Sequence, residues 1–461
     1  MKVKRLFVIT LYFFGVLTLL AHTFARGGVV QTGELTIIDS DRIVIFAPHP
    51  DDEIIGCAGI IQECIAKKVP VWVVYITNGD HNQLAFKAYE KKFVLSPADY
   101  RKMGELRRKE SINAVSLLGI TQDKLIFLGY PDFGTLPIWE GYWNRKTPYK
   151  NFLTRAYTVP YPDNPSYGEP YVGSSILNDM ERILLTIQPT KVFATHPADT
   201  NTDHRALFNF LQVALMDTEK RILAPEVYFY IVHSRRWPKP TGLFPERALL
   251  PPVALQTSEY AWVRFPLTSG QVEKKIEALN CFRSQLIGRK TWMLSFARSN
   301  ELFSVVMPLS LKSNKASEFM MSPRQEGEIP EGESIRHTKV YSLNLSSNNE
   351  SFILKVIFDR RILEKEFGAE LYFFGWRSDV PFQSMPKISL LARPQNKVAV
   401  TIDGARVSSN KIIVKESNDE ILIRIPRTLL NNPERLLVGG ETKLANLMLD
   451  FFPWRVFYLE Q

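Results

Sequence analysis

Two short segments rich in histidine and aspartate contain the residues that could carry out chemistry. The first has the sequence HPDDE at residues 49–53, and the second covers residues 196–204. Histidine and aspartate are both ligands of catalytic zinc, which takes three protein ligands and keeps one position open for water. The predicted ligands are His49, Asp52 and His204. Because two histidines and one carboxylate also suit non-haem iron, the pattern predicts Zn²⁺ with Fe²⁺ as the alternative.

Asp51 lies between two of the predicted ligands and would point elsewhere, which leaves it free to act as a general base. A purely structural alternative exists, because aspartate is a favoured residue at the start of a helix. In that alternative Asp51 or Asp52 caps the first helix, and Asp203 caps a later one. Both segments, however, directly follow predicted strands, and ligands bind beyond the carboxyl ends of strands in parallel sheets. The matching positions of the two segments therefore favour a metal site.

Alternating strand-like and helix-like stretches predict the sheet that would bring the two segments together. Short apolar runs are typical of buried strands, and they occur at residues 42–47, 69–76, 124–128, 191–195 and 226–232. Amphipathic stretches between them predict helices, among them one around residues 57–65 and others at 98–118, 175–187 and 203–215. The alternation predicts an α/β domain with a mostly parallel sheet and helices on both faces.

The pattern changes after residue 312. Residues 313–337 are polar and contain two prolines and two glycines, which predicts a linker. About seven short β-type runs without helices follow, so residues 338–461 are predicted to form a β-sandwich. Because a sandwich fold does not define a function, a structural or docking role and a glycan-binding role both stay open for this part.

The first 25 residues resemble a secretory leader. Lys2, Lys4 and Arg5 precede an apolar run, and Thr23 and Ala25 suit cleavage after Ala25. The run is short for a bilayer span, which needs about 20 residues, and an uncleaved signal anchor is the alternative. Either prediction places the mature chain outside the cytoplasm: secreted, periplasmic or anchored to a membrane or cell envelope. The α/β domain is predicted to span residues 26–312.

The distribution of charge limits the classes of partner that the sequence predicts. The formal net charge is +9, but no block of basic residues alternates with aromatic ones, so nucleic acid is not an expected partner. A mildly positive field could still favour an anionic glycan or lipid surface.

The three cysteines form no disulfide framework. Cys57 and Cys64 lie about two helical turns apart, too far for a bridge, whereas a bridge from Cys281 to either stays open.

The HPDDE segment is similar to the motif of the PIG-L/LmbE-like N-acetylglucosaminyl deacetylases, and DHRA at residues 203–206 resembles the second block of that family. Weaker matches in the same order extend the resemblance from about residue 42 to residue 303. They include TNGD at 77–80, Arg107 with Glu110, YPD at 130–132, His233, Trp237-Pro238 and Ser284-Gln285. The resemblance implies a Rossmann-like fold, a single zinc ion and removal of acetyl from an N-acetylated sugar. It also assigns the three ligands and the base named above.

One position departs from the family pattern. Asn201 stands where the family often has a histidine that is thought to stabilise the oxyanion. Asparagine can donate a hydrogen bond but cannot deliver a proton at neutral pH. The resemblance therefore keeps Asn201 as a catalytic candidate and moves any acid role to Asp51 or His196, although a structural role for His196 stays open.

Arg107 and Trp237 are the candidates for substrate binding. Arg107 could bind a substrate group or be a solvated helix-face charge near Glu110, and Trp237 could stack on a sugar. The predicted function is zinc-dependent removal of N-acetyl from an N-acetylglucosamine-containing glycan, glycolipid or other glycoconjugate. Two alternatives stay open: an inactive deacetylase fold that binds glycans or serves as a scaffold, and an amidase that acts on a non-sugar amide.

Overall fold

The structure is a computed structural model. It describes residues 33–144, 146–312, 316–319, 338, 340–362, 366–394, 397–407, 411–445 and 447–460. The predicted leader at residues 1–25 lies outside the described residues, as does most of the predicted linker.

An eight-stranded sheet forms the centre of the N-terminal domain, in the order β1-β7-β8-β6-β5-β2-β3-β4. Its strands are β1 (Gly33–Glu34), β2 (Ile43–Ala47), β3 (Val71–Thr77), β4 (Leu125–Tyr130), β5 (Lys191–Thr195), β6 (Glu226–Tyr230), β7 (Tyr260–Pro266) and β8 (Asn300–Val306). Strands β2 to β6 pair in parallel, whereas β8 pairs antiparallel to both β6 and β7. The predicted α/β class is confirmed, and the antiparallel pair β7 and β8 is an addition that the sequence patterns did not reveal.

Nine helices of the described residues connect or cover these strands. They are α1 (Asp52–Lys67), α2 (Gln83–Glu90), α3 (Pro97–Leu117), α4 (Thr135–Gly141), α5 (Gly173–Ile187), α6 (Thr202–Thr218), α7 (Ser269–Leu279), α8 (Arg283–Leu286) and α9 (Lys290–Leu294). The predicted helices and strands of this domain agree with these bounds to within three residues, except that α1 begins five residues before the predicted helix. No helix in the described part of the chain has both the length and the hydropathy needed to cross a membrane.

The sheet is buried on both faces, which explains why its central strands are apolar along their whole length. In β2 all five residues are buried. Ile43 and Ile45 belong to one hydrophobic core, whereas Val44 and Phe46 belong to the core on the opposite face. Such alternation follows from the two-residue period of a strand.

The order of the strands places the two polar segments side by side. β2 and β5 are hydrogen-bonded neighbours, and the chain continues from β2 to β3 on one side and from β5 to β6 on the other. A reversal of this kind leaves a crevice beyond the carboxyl ends of the two strands. Residues 49–52 follow β2 and residues 196–204 follow β5, so both segments lie at this crevice.

Two further sheets form the C-terminal region, in the orders β10-β11-β12-β18-β17 and β16-β15-β14-β13-β19-β20-β9. The strands are β9 (Leu309–Lys312), β10 (Ala316–Phe319), β11 (Val340–Ser347), β12 (Ser351–Phe358), β13 (Phe367–Trp376), β14 (Lys387–Arg393), β15 (Lys397–Ile402), β16 (Ala405–Val407), β17 (Ile413–Glu416), β18 (Glu420–Pro426), β19 (Arg435–Leu444) and β20 (Leu447–Glu460). Side chains of both sheets share one hydrophobic core, as in a sandwich.

The boundaries of the sandwich differ from those predicted. β9 precedes residue 313 yet pairs with β20, and β10 lies within the predicted linker and pairs with β11. The linker prediction is therefore wrong for residues 316–319. Strands β19 and β20 were also missed, because their long apolar and aromatic runs lack the short spacing by which the other strands were recognised.

The seven-stranded sheet packs against the N-terminal domain with its second face. Trp139 of α4 is fully buried, and its ring contacts Phe210 of α6, Phe374 of β13 and Trp454 of β20. Residues from both domains thus form one continuous hydrophobic core. All three cysteines are free thiols, so the bridge to Cys281 that the sequence left open is not formed.

Candidate metal centre and active site

Three side-chain atoms of the predicted ligands converge on one point at the crevice. Asp52 Oδ2 lies 3.1 Å from His49 Nδ1 and 3.1 Å from His204 Nε2, and the two ring nitrogens are 3.3 Å apart. Four-coordinate zinc has bonds of about 2.0–2.1 Å, which places neighbouring tetrahedral ligands about 3.3 Å apart. The donor set and its spacing therefore fit a divalent metal ion. The predicted convergence of two segments distant in sequence is present in the structure.

The field at this point is negative. Both imidazoles are buried, which by itself lowers their pKa values, but neighbouring carboxylates outweigh burial. Asp199 and Asp52 raise the pKa of His204 to about 9, and Asp132 is the main charge that raises the pKa of His49. A site that favours positive charge so strongly suits a cation.

In both histidines, carboxylates contact the ring nitrogen that is not the predicted metal ligand. Asp199 Oδ2 lies 3.1 Å from His204 Nδ1, while His49 Nε2 lies 3.1 Å from Asp132 Oδ1 and 3.2 Å from Asp203 Oδ2. Of these contacts, the one between His49 and Asp203 is a hydrogen bond and the other two are close ion pairs. Carboxylates in such positions fix the ring orientation and tautomer of metal-binding histidines. The sequence motifs predict no role for Asp132 or Asp199, although each lies in one of the segments described above.

Asp199 and Asp203 are poor candidates for direct ligands, because backbone donors already engage them. Asp199 accepts hydrogen bonds from the amides of Asn201, Val232 and His233. Asp203 accepts hydrogen bonds from two backbone amides and the hydroxyl of Thr135. Asp52 accepts one backbone hydrogen bond, from the His49 amide, which is fewer than Asp199 or Asp203 accepts. The set of His49, Asp52 and His204 is therefore the preferred one of the three candidate groups of ligands.

Asp51 occupies the N-cap position of α1, but its side chain does not cap the helix, so the capping role given by the structural alternative is wrong for this side chain. Its side chain forms no capping hydrogen bond, and its φ of 133° is rare for a residue with a side chain. The loop is held from both sides: the Asp51 amide donates to Glu53 Oε2 at 2.9 Å, and its carbonyl accepts from the first turn of the helix. Such strain persists only where surrounding contacts enforce it, and it is frequent at functional sites.

Arg107 positions this loop. Its guanidinium donates to Asp51 Oδ2 at 3.1 Å, to the Pro50 carbonyl at 2.8 Å and to the Gly79 carbonyl at 3.0 Å. The side chain is buried, so the interpretation as a solvated helix charge is wrong, and Glu110 instead accepts hydrogen bonds from Ser284. Burial raises the pKa of Asp51 to about 6, although the Arg107 charge opposes the rise.

Asn201 begins α6 and also lines the cavity beside the metal centre. Its Oδ1 accepts a hydrogen bond from the Asp203 amide at 2.8 Å, so its Nδ2 is the atom left to donate elsewhere. The neighbouring ring of His233 lies 4.9 Å from His204 and stacks on Trp292 at 5.3 Å. Burial lowers the pKa of His233 to about 4, which keeps this imidazole neutral.

Two predicted site residues lie outside the cavity wall. His196 packs between the rings of Tyr260 and Trp262, and its Nδ1 accepts from the Ala198 amide. Burial lowers the pKa of His196 to about 3, so this imidazole does not carry a proton at neutral pH. The catalytic role predicted for His196 is therefore wrong, and its role is structural.

Trp237 is likewise a core residue. It is 9% exposed, its indole N–H donates to the Leu250 carbonyl and its ring packs on Phe296. The predicted stacking on a sugar is therefore wrong. Trp292 is the tryptophan that lines the cavity, with the Arg289 guanidinium 4.5 Å from its ring centre. Only the packing of α9 against the crevice reveals this residue, which no motif identified.

The cavity in front of the metal centre has a volume of about 910 Å³. Its wall includes His49, Asp51, Asp52, Arg107, Asn201 and His233, together with aromatic residues, Arg289 and two residues of the sandwich, Glu441 and Met448. The buried candidate metal ligands, a strained carboxylate and a hydrogen-bond donor thus face one space that can admit a small-molecule group.

Residues 44–215 match the family model described as PIG-L, GlcNAc-PI de-N-acetylase. The resemblance inferred from the sequence motifs is thereby confirmed for this part of the chain. A comparison with curated proteins gives no match.

Several solved structures are similar in fold. An N,N'-diacetylchitobiose deacetylase from Pyrococcus horikoshii is 19% identical, covering 58% of this chain and 84% of its own, with a TM-score of 0.37. A 4-carboxy-2-hydroxymuconate hydratase from Pseudomonas putida is 16% identical, with coverages of 59% and 98% and a TM-score of 0.35. A deacetylase of teicoplanin biosynthesis is 13% identical, with coverages of 58% and 98% and a TM-score of 0.38. Because these TM-scores are below 0.5, the likenesses assign neither activity nor substrate to this chain.

Proposed function

Since residues 44–215 form a PIG-L-type domain, we propose that this protein is a metal-dependent deacetylase that removes the N-acetyl group from an N-acetylglucosamine-containing glycan or glycoconjugate. The observation that carries the proposal is the convergence of three ligand atoms within 3.1–3.3 Å, beside a strained carboxylate on the same cavity wall. The family match supports the deacetylase activity. The sugar, and zinc as the metal, are the further parts of the proposal.

His49, Asp52 and His204 would hold the ion, with Zn²⁺ preferred and Fe²⁺ as the alternative. A divalent ion at this position would polarise the amide carbonyl and favour deprotonation of water. The chain itself must then orient the amide, move one proton and stabilise the charge that develops on the carbonyl oxygen.

Asp51 is the residue that moves the proton. Arg107 holds its Oδ2, so Oδ1 remains to accept a proton from the water that attacks the carbonyl carbon. As the C–N bond breaks, Asp51 returns this proton to the amine nitrogen, and the products are acetate and a free amine. Asn201 Nδ2 donates to the developing oxyanion, a role that needs no positive charge.

The sugar part of the proposal is supported by the description of the family and by the character of the cavity. The family model is named for a GlcNAc-PI de-N-acetylase. The cavity wall combines aromatic residues with both carboxylate and guanidinium groups. Sugars offer an apolar ring face and hydroxyl groups that both donate and accept hydrogen bonds, and this wall provides partners for each.

Acetate release by the purified full-length protein tests the proposal. We expect turnover of N-acetylglucosamine-containing substrates, loss of turnover with a chelator, and recovery when Zn²⁺ or Fe²⁺ is added back. His204→Gln should lose both the metal, measured by elemental mass spectrometry, and the activity. Bound metal and glycan affinity without acetate release would instead support the inactive glycan-binding alternative, and release from acylated peptides alone would support the non-sugar amidase.

We also propose that the protein acts outside the cytoplasm. The charged, apolar and small-residue pattern of residues 1–25 supports this location. Mass spectrometry of the protein isolated from fractionated cells tests it. A mature chain that begins at Arg26 is expected, an intact leader in the membrane fraction would indicate a signal anchor, and an intact chain in the cytoplasm would contradict the proposal.

A further inference from the structure

The cavity at the metal centre continues to the sandwich, which therefore forms part of its wall. Glu441 of β19 and Met448 of β20 line the same space as the metal ligands. Small-molecule sites have volumes of about 300–1,000 Å³, and this cavity of about 910 Å³ is near the upper end. The space is therefore larger than one acetylated sugar unit requires.

Arg205 is a cationic residue of this wall with a buried donor that has no hydrogen-bond acceptor. It follows the ligand His204 in α6, is only 6% exposed, and its guanidinium carbon lies 4.3 Å from the ring centre of Phe451 in β20. Among the described residues, its buried Nε has no hydrogen-bond acceptor. An unpaired buried donor costs free energy, and because Arg205 lines the cavity, a ligand there could offer acceptors to its guanidinium.

Two carboxyl groups stand near this guanidinium. Glu140 and Glu441 both line the cavity and attract Arg205 electrostatically. Glu441 lies directly opposite Phe451 across the β19–β20 pair, next to the ring that Arg205 covers. Burial, together with the nearby Glu441 charge, raises the pKa of Glu140 to about 8. The group as a whole thus offers hydrogen-bond donors and acceptors in a partly buried setting.

We infer that Glu140, Arg205, Glu441 and Met448 form a subsite for a second, hydroxyl-bearing sugar unit, so that the substrate is an oligosaccharide or glycan chain rather than a free monosaccharide. The inference rests on the proposed function and extends it. A neutral sugar suits this wall because its hydroxyls donate to carboxylates and accept from a guanidinium. At neutral pH the Glu140 carboxyl, with its raised pKa of about 8, is protonated, while Arg205 and Glu441 carry opposite charges, so the group favours neither a phosphate nor a cationic ligand. The Met448 side chain offers contact to an apolar sugar face.

The inference makes the sandwich part of the substrate site. Because Glu441 and Met448 come from β19 and β20, the catalytic domain alone would present an incomplete subsite. The shared core around Trp139 holds the two domains together, which fixes the position of these strands relative to α6. The sandwich would then have a glycan-binding role, which is one of the two roles that its fold leaves open.

A comparison of substrate lengths tests the subsite in the full-length, metal-loaded protein. The probes are N-acetylglucosamine and its β-1,4-linked tetramer, and the measured quantity is the ratio of their kcat/KM values for acetate release. We expect the wild type to favour the tetramer at least tenfold. Glu441→Ala should reduce this preference about tenfold, because a charged hydrogen-bond partner is lost.

Matched variants separate a subsite from a folding effect. Met448→Trp should lower the preference by filling the subsite. Glu350→Gln changes an exposed glutamate at the β11–β12 turn and should leave the preference unchanged. Lys443 keeps Glu370 as an ion-pair partner at 2.7 Å when Glu441 is removed, which limits damage to the sheet. Equal kcat/KM values for both probes in the wild type, or the same ratio in Glu441→Ala and Glu350→Gln, would overturn the inference.

Calorimetric binding of the same two probes distinguishes failure of the subsite from failure of the proposed reaction. If neither probe releases acetate, the deacetylase proposal fails for these sugars, and binding alone decides the subsite. Tighter binding of the tetramer that Glu441→Ala removes would support it. Equal binding of both probes, or binding of neither, would contradict it.

Discussion

Asp51 is held in an unfavourable backbone conformation by the contacts that also prepare its carboxylate. Its amide donates to Glu53, and Arg107 engages one of its two oxygens. The Asp51 carbonyl accepts hydrogen bonds from the first turn of α1, whereas its side chain forms no capping hydrogen bond. The carboxylate is therefore available for the proton transfer proposed above.

Asp51→Asn should retain the metal but lower kcat by about 10²–10⁴-fold, because the amide cannot accept the proton from water. Acetate release and metal content, measured on the same preparation, check this. Asp163→Asn is a suitable control, since its side chain is 77% exposed and does not line the cavity. An unchanged kcat in the Asp51 variant would remove this residue from the mechanism.

Asp80 is a buried carboxyl whose charge the fold does not balance. Tyr161 donates one hydrogen bond to Oδ2 at 2.6 Å, and Oδ1 has no partner among the described residues. Burial, aided by the Asp132 charge, raises the pKa of Asp80 to about 7. The unfolded chain has a pKa of about 3.9 at this group, so the folded state binds more protons between these values and stability falls as the pH rises through them.

Asp80→Asn should remove this pH-dependent penalty. We expect the variant to be more stable than the wild type by roughly 2–4 kcal/mol at pH 8 and nearly equal to it at pH 4, because Asp80 is then protonated in the folded state. Urea unfolding at the two pH values gives the comparison. A stability difference that does not change with pH would show that Asp80 is ionised in the folded protein at both.

At the scale of elements, the first turn of α6 places three residues at the candidate active site. Asn201 caps this helix, His204 is a predicted metal ligand and Arg205 lines the cavity. The helix begins directly after the segment that follows β5, so its N-terminus lies at the crevice. The Asn201 side chain can therefore have two separable roles, because its oxygen caps the helix and its nitrogen can donate a hydrogen bond in the cavity.

Two substitutions of Asn201 should separate its capping role from its role as a hydrogen-bond donor. Asn201→Ala loses the cap, which is worth about 1 kcal/mol, and also loses the oxyanion donor. Asn201→Asp keeps a capping oxygen but cannot donate a hydrogen bond, so stability should be retained while kcat falls about 10²-fold or more. Urea unfolding and acetate release, measured on both variants and the wild type, distinguish the two roles. Full activity in the aspartate variant would exclude an oxyanion role.

At the scale of the whole molecule, the two domains share a hydrophobic core. Trp139 is buried between α6 and the seven-stranded sheet, with aromatic contacts to both. The Arg455–Glu259 ion pair, at 2.6 Å, and the hydrogen bond from Trp376 to Asp217, also at 2.6 Å, reinforce this interface. The sandwich is thus integrated with the catalytic domain.

Trp139→Ala should destabilise the protein by about 3–5 kcal/mol, because a large buried ring leaves a cavity. Since the core is shared, wild-type unfolding in urea should show one transition for both domains. Tyr341→Ala is the control, because this side chain is 77% exposed and its loss should change stability by less than about 0.5 kcal/mol. Two well-separated wild-type transitions would show that the domains are independent.

The sequence by itself determined the α/β class, the strands that position the two polar segments and the set of His49, Asp52 and His204. Hydrophobic periodicity and composition are local properties, so strands such as β2 and β5 are readable without a structure. Ligand types are equally readable, because the chemistry of a residue does not depend on its neighbours. Trp237 and His196 were misassigned, since burial is set by packing that the sequence does not show.

Only the tertiary structure decided which groups surround the predicted ligands. Asp132 and Asp199 orient the histidines because loops after β4 and β5 meet at one sheet edge, and Trp292 reaches the cavity only through the packing of α9. Glu441 joins the wall because β19 packs against the catalytic domain, more than 200 residues along the chain from His204. Such long-range packing is a property of the whole fold and leaves no signal in any single segment.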